Sequence, residues 1–128
     1  MKKPTRLLIV DDHPMIIRGY QLTLDHIRYD FNIEFDTATN CNEVLDKMEV
    51  SDPSFYDLIL LDIGLPSSES SKASNGEDLG YLIRREYPNT KIIVQTAIND
   101  MQCISNIFNT IKPEGFLIKS DIDEEILI

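Results

Sequence analysis

The sequence predicts an α/β chain: a doubly wound, five-stranded parallel sheet with helices on both faces. Three observations carry that prediction. Short, near-continuous apolar runs recur along the chain, as in Leu7-Leu8-Ile9-Val10, Leu58-Ile59-Leu60-Leu61 and Ile92-Ile93-Val94. Strands buried on both faces read this way, without the alternation of a half-exposed strand. Each run is followed by turn residues and then by apolar residues at helical spacing, the βα alternation of a parallel sheet. Two of the runs end directly on an acid, Asp11 and Asp62, and in open α/β sheets the chemistry lies outside the carboxyl ends of the strands.

The first strand is Arg6-Leu7-Leu8-Ile9-Val10, closed by Asp11-Asp12-His13-Pro14. Proline suits the first turn of a helix, where its missing N–H would be unpaired anyway. Ile16, Tyr20, Leu24 and Ile27 then recur at helical spacing, predicting a helix up to about Arg28. Residues 32–37 alternate, with Ile33 and Phe35 separated by Glu34 and Asp36, as a half-buried strand at the sheet edge does. Asn40 and Glu43 stand in capping-box spacing ahead of the stripe Cys41, Val44, Leu45 and Met48, and Ser51-Asp52-Pro53 closes that second helix.

The third strand delivers Asp62 to its carboxyl end, where Gly64 and Pro66 break the chain. Residues 67–75 include five serines and read as a surface loop. The third helix starts near Gly76, with Glu77 and Asp78 at its positive end, Arg84 and Arg85 at its negative end, and Leu79, Leu82 and Ile83 facing inward. Lys91-Ile92-Ile93-Val94-Gln95 is the fourth strand and carries Thr96 to its end. Asn99 or Asp100 caps a fourth helix whose Ile104, Ile107, Phe108 and Ile111 form the inward stripe. Gly115-Phe116-Leu117-Ile118 is the fifth strand, with Lys119 at its end, and Asp121 and Glu124 cap a short last helix. Right-handed crossovers leave few arrangements. The flavodoxin-like order 2-1-3-4-5 sets the first and third strands side by side and puts the switch point between their carboxyl ends.

At 128 residues the chain has the size of one domain with a single sizeable core. Twelve Lys and Arg against 22 Asp and Glu give a net charge of −10, a surface that repels phosphate backbones, so no direct grip on nucleic acid is expected. The longest apolar runs fall far short of a membrane span, and no signal-peptide core follows Met1-Lys2-Lys3. A cytoplasmic location follows as the expectation. Cys41 and Cys103 lack metal-ligand spacing and read as two free, buried thiols. Met15, Met48 and Met101 read as core filler, and His13 as a helix-terminus residue at a pocket rim.

With the order 2-1-3-4-5, Asp11, Asp12 and Asp62 converge. Two carboxylates about 4 Å apart repel by roughly 4 kcal/mol at an effective dielectric near 20, so three together call for a cation. Mg²⁺ suits such a site, because it takes one or two carboxylates, keeps several waters and completes its shell with phosphate. Lys119 adds a fixed positive charge and Thr96 a hydroxyl. A carboxylate nucleophile, a divalent metal, an ammonium and a hydroxyl make a phosphoryl-accepting site.

The chain resembles the receiver (CheY-like) domain of bacterial two-component response regulators over essentially its whole length. The resemblance is carried by Asp11-Asp12, by Leu61-Asp62-Ile63-Gly64-Leu65-Pro66, by Thr96-Ala97, and by Gly115-Phe116-Leu117-Ile118-Lys119. It implies Asp62 as phosphoacceptor, Asp12 as a direct Mg²⁺ ligand, Asp11 as a ligand largely through water, and the backbone carbonyl of Gly64 as a further ligand. It further implies phosphoryl contacts from Thr96 and Lys119, and Phe116 as the switch aromatic. The implied partners are a sensor histidine kinase and, once phosphorylated, a second copy of the chain. Asp11-Asp12-His13-Pro14 is similar to the NarL/FixJ branch, whose regulators carry a LuxR-type helix-turn-helix. The short last helix and missing output domain make a fragment of a longer regulator the expectation.

Two departures stand out. The serine-rich stretch separates Pro66 from Gly76 beside the pocket, as a gate, as a determinant of partner choice or as a tolerated insertion. Ser120 follows Lys119 where many receivers have proline. Two other classes stay open at this point: an interaction module that works without phosphorylation, and an aspartyl phosphatase. A haloacid dehalogenase-like phosphatase would want an acid two residues after the nucleophile, where Gly64 stands.

Overall fold

The computed structural model describes residues 4–50, 55–65, 75–96 and 101–118. Lys119, Pro66, the serine-rich residues 67–74, Ala97, Ile98, the caps expected at Asn99 or Asp100 and the last helix from Asp121 lie outside the described residues, as do the side chains of Met101 and Cys103.

Five strands, β1 (Thr5–Val10), β2 (Ile33–Ala38), β3 (Leu58–Asp62), β4 (Lys91–Thr96) and β5 (Gly115–Ile118), form one sheet in the order β2-β1-β3-β4-β5. Every pair is parallel. The helices between them are α1 (Pro14–Phe31), α2 (Cys41–Glu49), α3 (Gly76–Glu86) and α4 (Met101–Thr110).

Alternate residues of the central strands feed two cores. Leu8, Val10, Ile59, Leu61, Ile92 and Val94 pack with Val44 and Leu45 of α2, Leu79 and Ile83 of α3, and Ile107 of α4. Leu7, Ile9 and Leu60 pack on the other face with Ile17, Tyr20 and Leu24 of α1. This is why β1 and β3 are apolar without alternation. β2, at the edge, keeps only Ala38 fully buried.

Local chemistry fixes the helix starts. Asn40 Oδ1 accepts from the Glu43 amide at 2.9 Å, and Glu43 reaches back to the Thr39 amide at 3.1 Å. Asn75 caps α3 through the Asp78 amide at 2.9 Å. Gly76 follows because a Cβ there would lie 2.5 Å from the Ile63 carbonyl oxygen. α1 runs three residues past the predicted Arg28 and ends ahead of Asn32, which turns the chain at φ 49°.

Two side chains correct the sequence reading. Phe108 was expected inward but is 47 % exposed. Ile107 and Ile111 fill the core side of α4, and Phe108, a step of about 100° round from Ile107, instead stacks on Phe116 with centroids 5.4 Å apart. Met15 was expected as core filler and is 81 % exposed. It precedes Ile17 by two residues and so lies on the opposite side of α1 from the packed stripe. Met48 and Cys41 are buried as expected, Cys41 as a free thiol. Among the described residues no helix is long and apolar enough to cross a membrane.

Candidate metal and phosphoryl site

The register of the sheet assembles the site. Val10 pairs with Leu61 across β1 and β3, so the next residues, Asp11 and Asp62, stand level at neighbouring strand ends, about 4.8 Å apart in backbone spacing. Asp62 pairs in turn with Gln95 of β4. Asp12 follows Asp11 just before α1. One ligand atom from each of Asp11, Asp12, His13 and Asp62 lies within 4.8 Å of the others. The three acids named from sequence are therefore together.

Asp11 is wholly buried and Asp62 is 1 % exposed, a placement that costs several kcal/mol per charge unless hydrogen bonds or a cation compensate. Hydrogen bonds supply part of that compensation. Asp11 Oδ1 accepts from the His13 amide at 2.9 Å and Asp11 Oδ2 from Gln95 Nε2 at 3.0 Å. Asp62 Oδ1 accepts from the Gly64 amide at 2.8 Å. The contact the structure gives Gly64 is thus through its N–H. Asp12 Oδ1 is buried and, among the described residues, accepts no hydrogen bond. A carboxylate oxygen so placed, amid two further acids, is part of a donor set that a divalent cation fits.

His13 stands at the start of α1 on the rim of the pocket, as its sequence reading has it, with its side chain 59 % exposed. Its ring Nδ1 turns into the cluster, 2.7 Å from Asp11 Oδ1, 3.1 Å from Asp12 Oδ1 and 3.9 Å from Asp62 Oδ2. Sequence reasoning passed over Gln95 and Tyr20. Gln95 is fully buried, and its Oε1 accepts from the Tyr20 hydroxyl at 3.0 Å. Burial first, then the charges of Asp11 and Asp62, push the Tyr20 hydroxyl up to about 12. The available signal was a carboxamide at the end of an apolar strand, opposite a tyrosine on an inward helical stripe.

Thr96 is fully buried at the end of β4, paired with Ile118. Phe116 is partly buried against the larger core. Lys119 follows Ile118 directly but lies outside the described residues.

Residues 7–127 match the response regulator receiver domain. The chain belongs to that family. Among curated relatives of this receiver, the oxygen regulatory protein NreC of Staphylococcus epidermidis is 24 % identical over 123 residues, covering 96 % of this chain and 51 % of that protein. The response regulator ArlR of Staphylococcus saprophyticus is 35 % identical over 96 residues, covering 75 % of this chain and 37 % of that protein. The receiver thus spans about half of one relative and little more than a third of the other. The isolated receiver domain of RcsB from Salmonella enterica serovar Typhimurium, solved in the presence of the phosphomimetic BeF₃⁻, shares the fold at TM-score 0.75 and 21 % identity, covering 94 % of this chain and 80 % of that one.

Proposed function

We propose that this chain is a single receiver domain that accepts a phosphoryl group on Asp62 from the phosphohistidine of a sensor kinase, with Mg²⁺ as cofactor. The observation that carries the reading is the buried Asp12 Oδ1, without a hydrogen bond among the described residues, beside a buried Asp62 at the carboxyl end of β3. A carboxylate oxygen of Asp62 forms a bond to phosphorus as the P–N bond of the kinase histidine breaks, and the imidazole leaves with that electron pair. The product is an acyl phosphate. The Gly64 amide, already bonded to Asp62 Oδ1, fixes the carboxylate for this attack.

Asp12 and Asp62 would hold Mg²⁺ directly, Asp11 would hold it largely through water, and the Gly64 carbonyl would complete the protein ligands. The ion supplies charge neutralisation at the phosphoryl oxygens. Thr96 and Lys119 are assigned to those same oxygens. Apart from this self-modification and its hydrolysis, no turnover of an external substrate is proposed. Gly64 occupies the place where an aspartyl phosphatase would carry its second acid.

Phe116 is assigned the switch. Its ring lies against the core and stacks on the exposed Phe108, so reorienting it changes the surface shared by α4 and β5. That surface would govern pairing with a second copy or release of a DNA-binding output domain in a longer, cytoplasmic protein. The net charge of −10 argues against direct DNA contact by this domain. Incubation with Mg²⁺ and acetyl phosphate should add one phosphoryl mass, and Asp62→Asn should abolish the gain. Unchanged mass in the wild-type chain refutes the reading.

A further inference from the structure

We propose that His13 is itself a ligand of the cation, through Nδ1, and that the site therefore takes borderline divalent cations such as Co²⁺ and Zn²⁺ more tightly than Mg²⁺. The inference rests on the reading of this pocket as a cation site. It concerns a residue outside the oxygen ligand set considered so far.

The ring geometry is specific. His13 could extend into solvent, and its side chain is 59 % exposed. Its Nδ1 nevertheless points inward, to 2.7 Å from Asp11 Oδ1 and 3.1 Å from Asp12 Oδ1. Neighbouring ligands round an octahedral ion with bonds of about 2.1 Å stand about 3.0 Å apart. The 3.1 Å to Asp12 Oδ1 fits that spacing, and the 2.7 Å to Asp11 Oδ1 is a hydrogen bond that a cation on Nδ1 would displace. The third, 3.9 Å to Asp62 Oδ2, approaches the roughly 4.2 Å that separates opposite ligands of such an ion. The imidazole nitrogen is thus spaced from the Asp12 and Asp62 oxygens as one ligand is from a neighbouring and an opposite one.

The backbone holds it there. The His13 amide is tied to Asp11 Oδ1 at 2.9 Å, and Pro14 begins α1 on the next residue. Asp11 is pinned from its other side by Gln95. Chain direction is therefore set before a cation arrives, and a residue whose backbone is fixed loses less freedom on binding.

The donor type decides the selectivity. Mg²⁺ prefers oxygen and keeps its waters, whereas an imidazole suits Zn²⁺, Co²⁺ and Ni²⁺. A site of carboxylates and one imidazole therefore favours the borderline ions, while Mg²⁺ can still bind through the carboxylates alone. A histidine that merely hydrogen-bonds Asp11 would give no nitrogen signature and no gain in Co²⁺ affinity that depends on His13, since carboxylates alone already favour Co²⁺ over Mg²⁺.

The test needs no turnover. The 128-residue chain is titrated with Co²⁺ and with Mg²⁺ by calorimetry, and its Cu²⁺-loaded form is examined by pulsed electron paramagnetic resonance for coupling to an imidazole nitrogen. The expected results are tighter binding of Co²⁺ than of Mg²⁺ and a nitrogen coupling. In His13→Ala the coupling should vanish and Co²⁺ affinity should fall about ten-fold or more, with Mg²⁺ affinity nearly unchanged. A wild-type chain that binds Mg²⁺ but shows no nitrogen coupling overturns the inference and leaves the cation site standing. So does an equal loss of both metals in His13→Ala, or a coupling that survives in that variant while His26→Ala removes it. A chain that binds neither cation overturns the cation site as well.

Discussion

Gln95 holds Asp11. Its carboxamide Nε2 donates to Asp11 Oδ2 at 3.0 Å while its Oε1 accepts from the Tyr20 hydroxyl at 3.0 Å, so α1, β4 and the acid cluster form one buried polar chain. Replacing Gln95 by Leu leaves the wholly buried Asp11 short of a donor and Tyr20 without that acceptor. The expected cost is about 1–3 kcal/mol of stability, read as a lower denaturant midpoint. Cation affinity should fall about ten-fold, as for other lost supports of a ligand, measured by titration calorimetry.

Tyr20 reports on the same cluster from a distance. Its hydroxyl is pushed from 10.0 up to about 12 by burial first and then by Asp11 and Asp62. Between these values the unfolded chain has released a proton that the folded chain retains, so this contribution to stability is whole below pH 10 and is lost as pH rises towards 12. Denaturant midpoints followed through this window should fall less steeply in Tyr20→Phe. Neutralising the acids, by Asp62→Asn or by a bound cation, should bring the Tyr20 phenolate transition down towards its ordinary value. Ultraviolet titration of the phenolate checks this.

Gly76 is required for space, since its φ is not positive. A Cβ would meet the carbonyl oxygens of Ile63 at 2.5 Å and Asp62 at 2.8 Å, and backbone cannot swing aside as a side chain can. Gly76→Ala should cost about 1–3 kcal/mol and disturb the turn after Asp62. Gly80 makes the contrast: the nearest atom to its added Cβ is the flexible end of Ile111, at 2.6 Å. Gly80→Ala should therefore cost less, and thermal melts of the two variants decide the order.

Arg84 ties three segments together. Its guanidinium donates to the carbonyls of Ile111 at 2.8 Å and Lys112 at 2.9 Å, and pairs with Glu114 at 2.8 Å. Burial works to raise the Glu114 carboxyl, but the Arg84 bond and the Ile92 amide outweigh it and hold the carboxyl below 4.5. Its contribution is present above that value and lost as pH falls through the lowered one. Arg84→Ala should cost about 2–3 kcal/mol, and Glu114→Gln should flatten the acid limb of the stability profile.

Strand order was legible because the apolar runs of β1, β3 and β4 have no alternation, and the edge strand β2 does. Asp11, Asp12 and Asp62 could be placed because strand ends in such a sheet are fixed by its topology. Phe108 and Met15 were misread because helical spacing gives an apolar stripe but not its edges. Ile107 and Ile17 occupy the core side, and the neighbouring positions spill to the surface. Gln95 was hidden because a polar side chain near a strand end looks like a boundary, and only the register sets it beside Asp62 and against Asp11. The inward ring of His13 is a rotamer choice, which spacing alone does not encode.

The central claim is that Asp62 carries an acyl phosphate formed with a divalent cation. Treating the chain with acetyl phosphate and Mg²⁺, trapping with borohydride and mapping the peptides should reveal reduction of residue 62 to homoserine, and only when Mg²⁺ was present. Homoserine at another aspartate, or equal trapping at residue 62 with the cation chelated, would contradict the account.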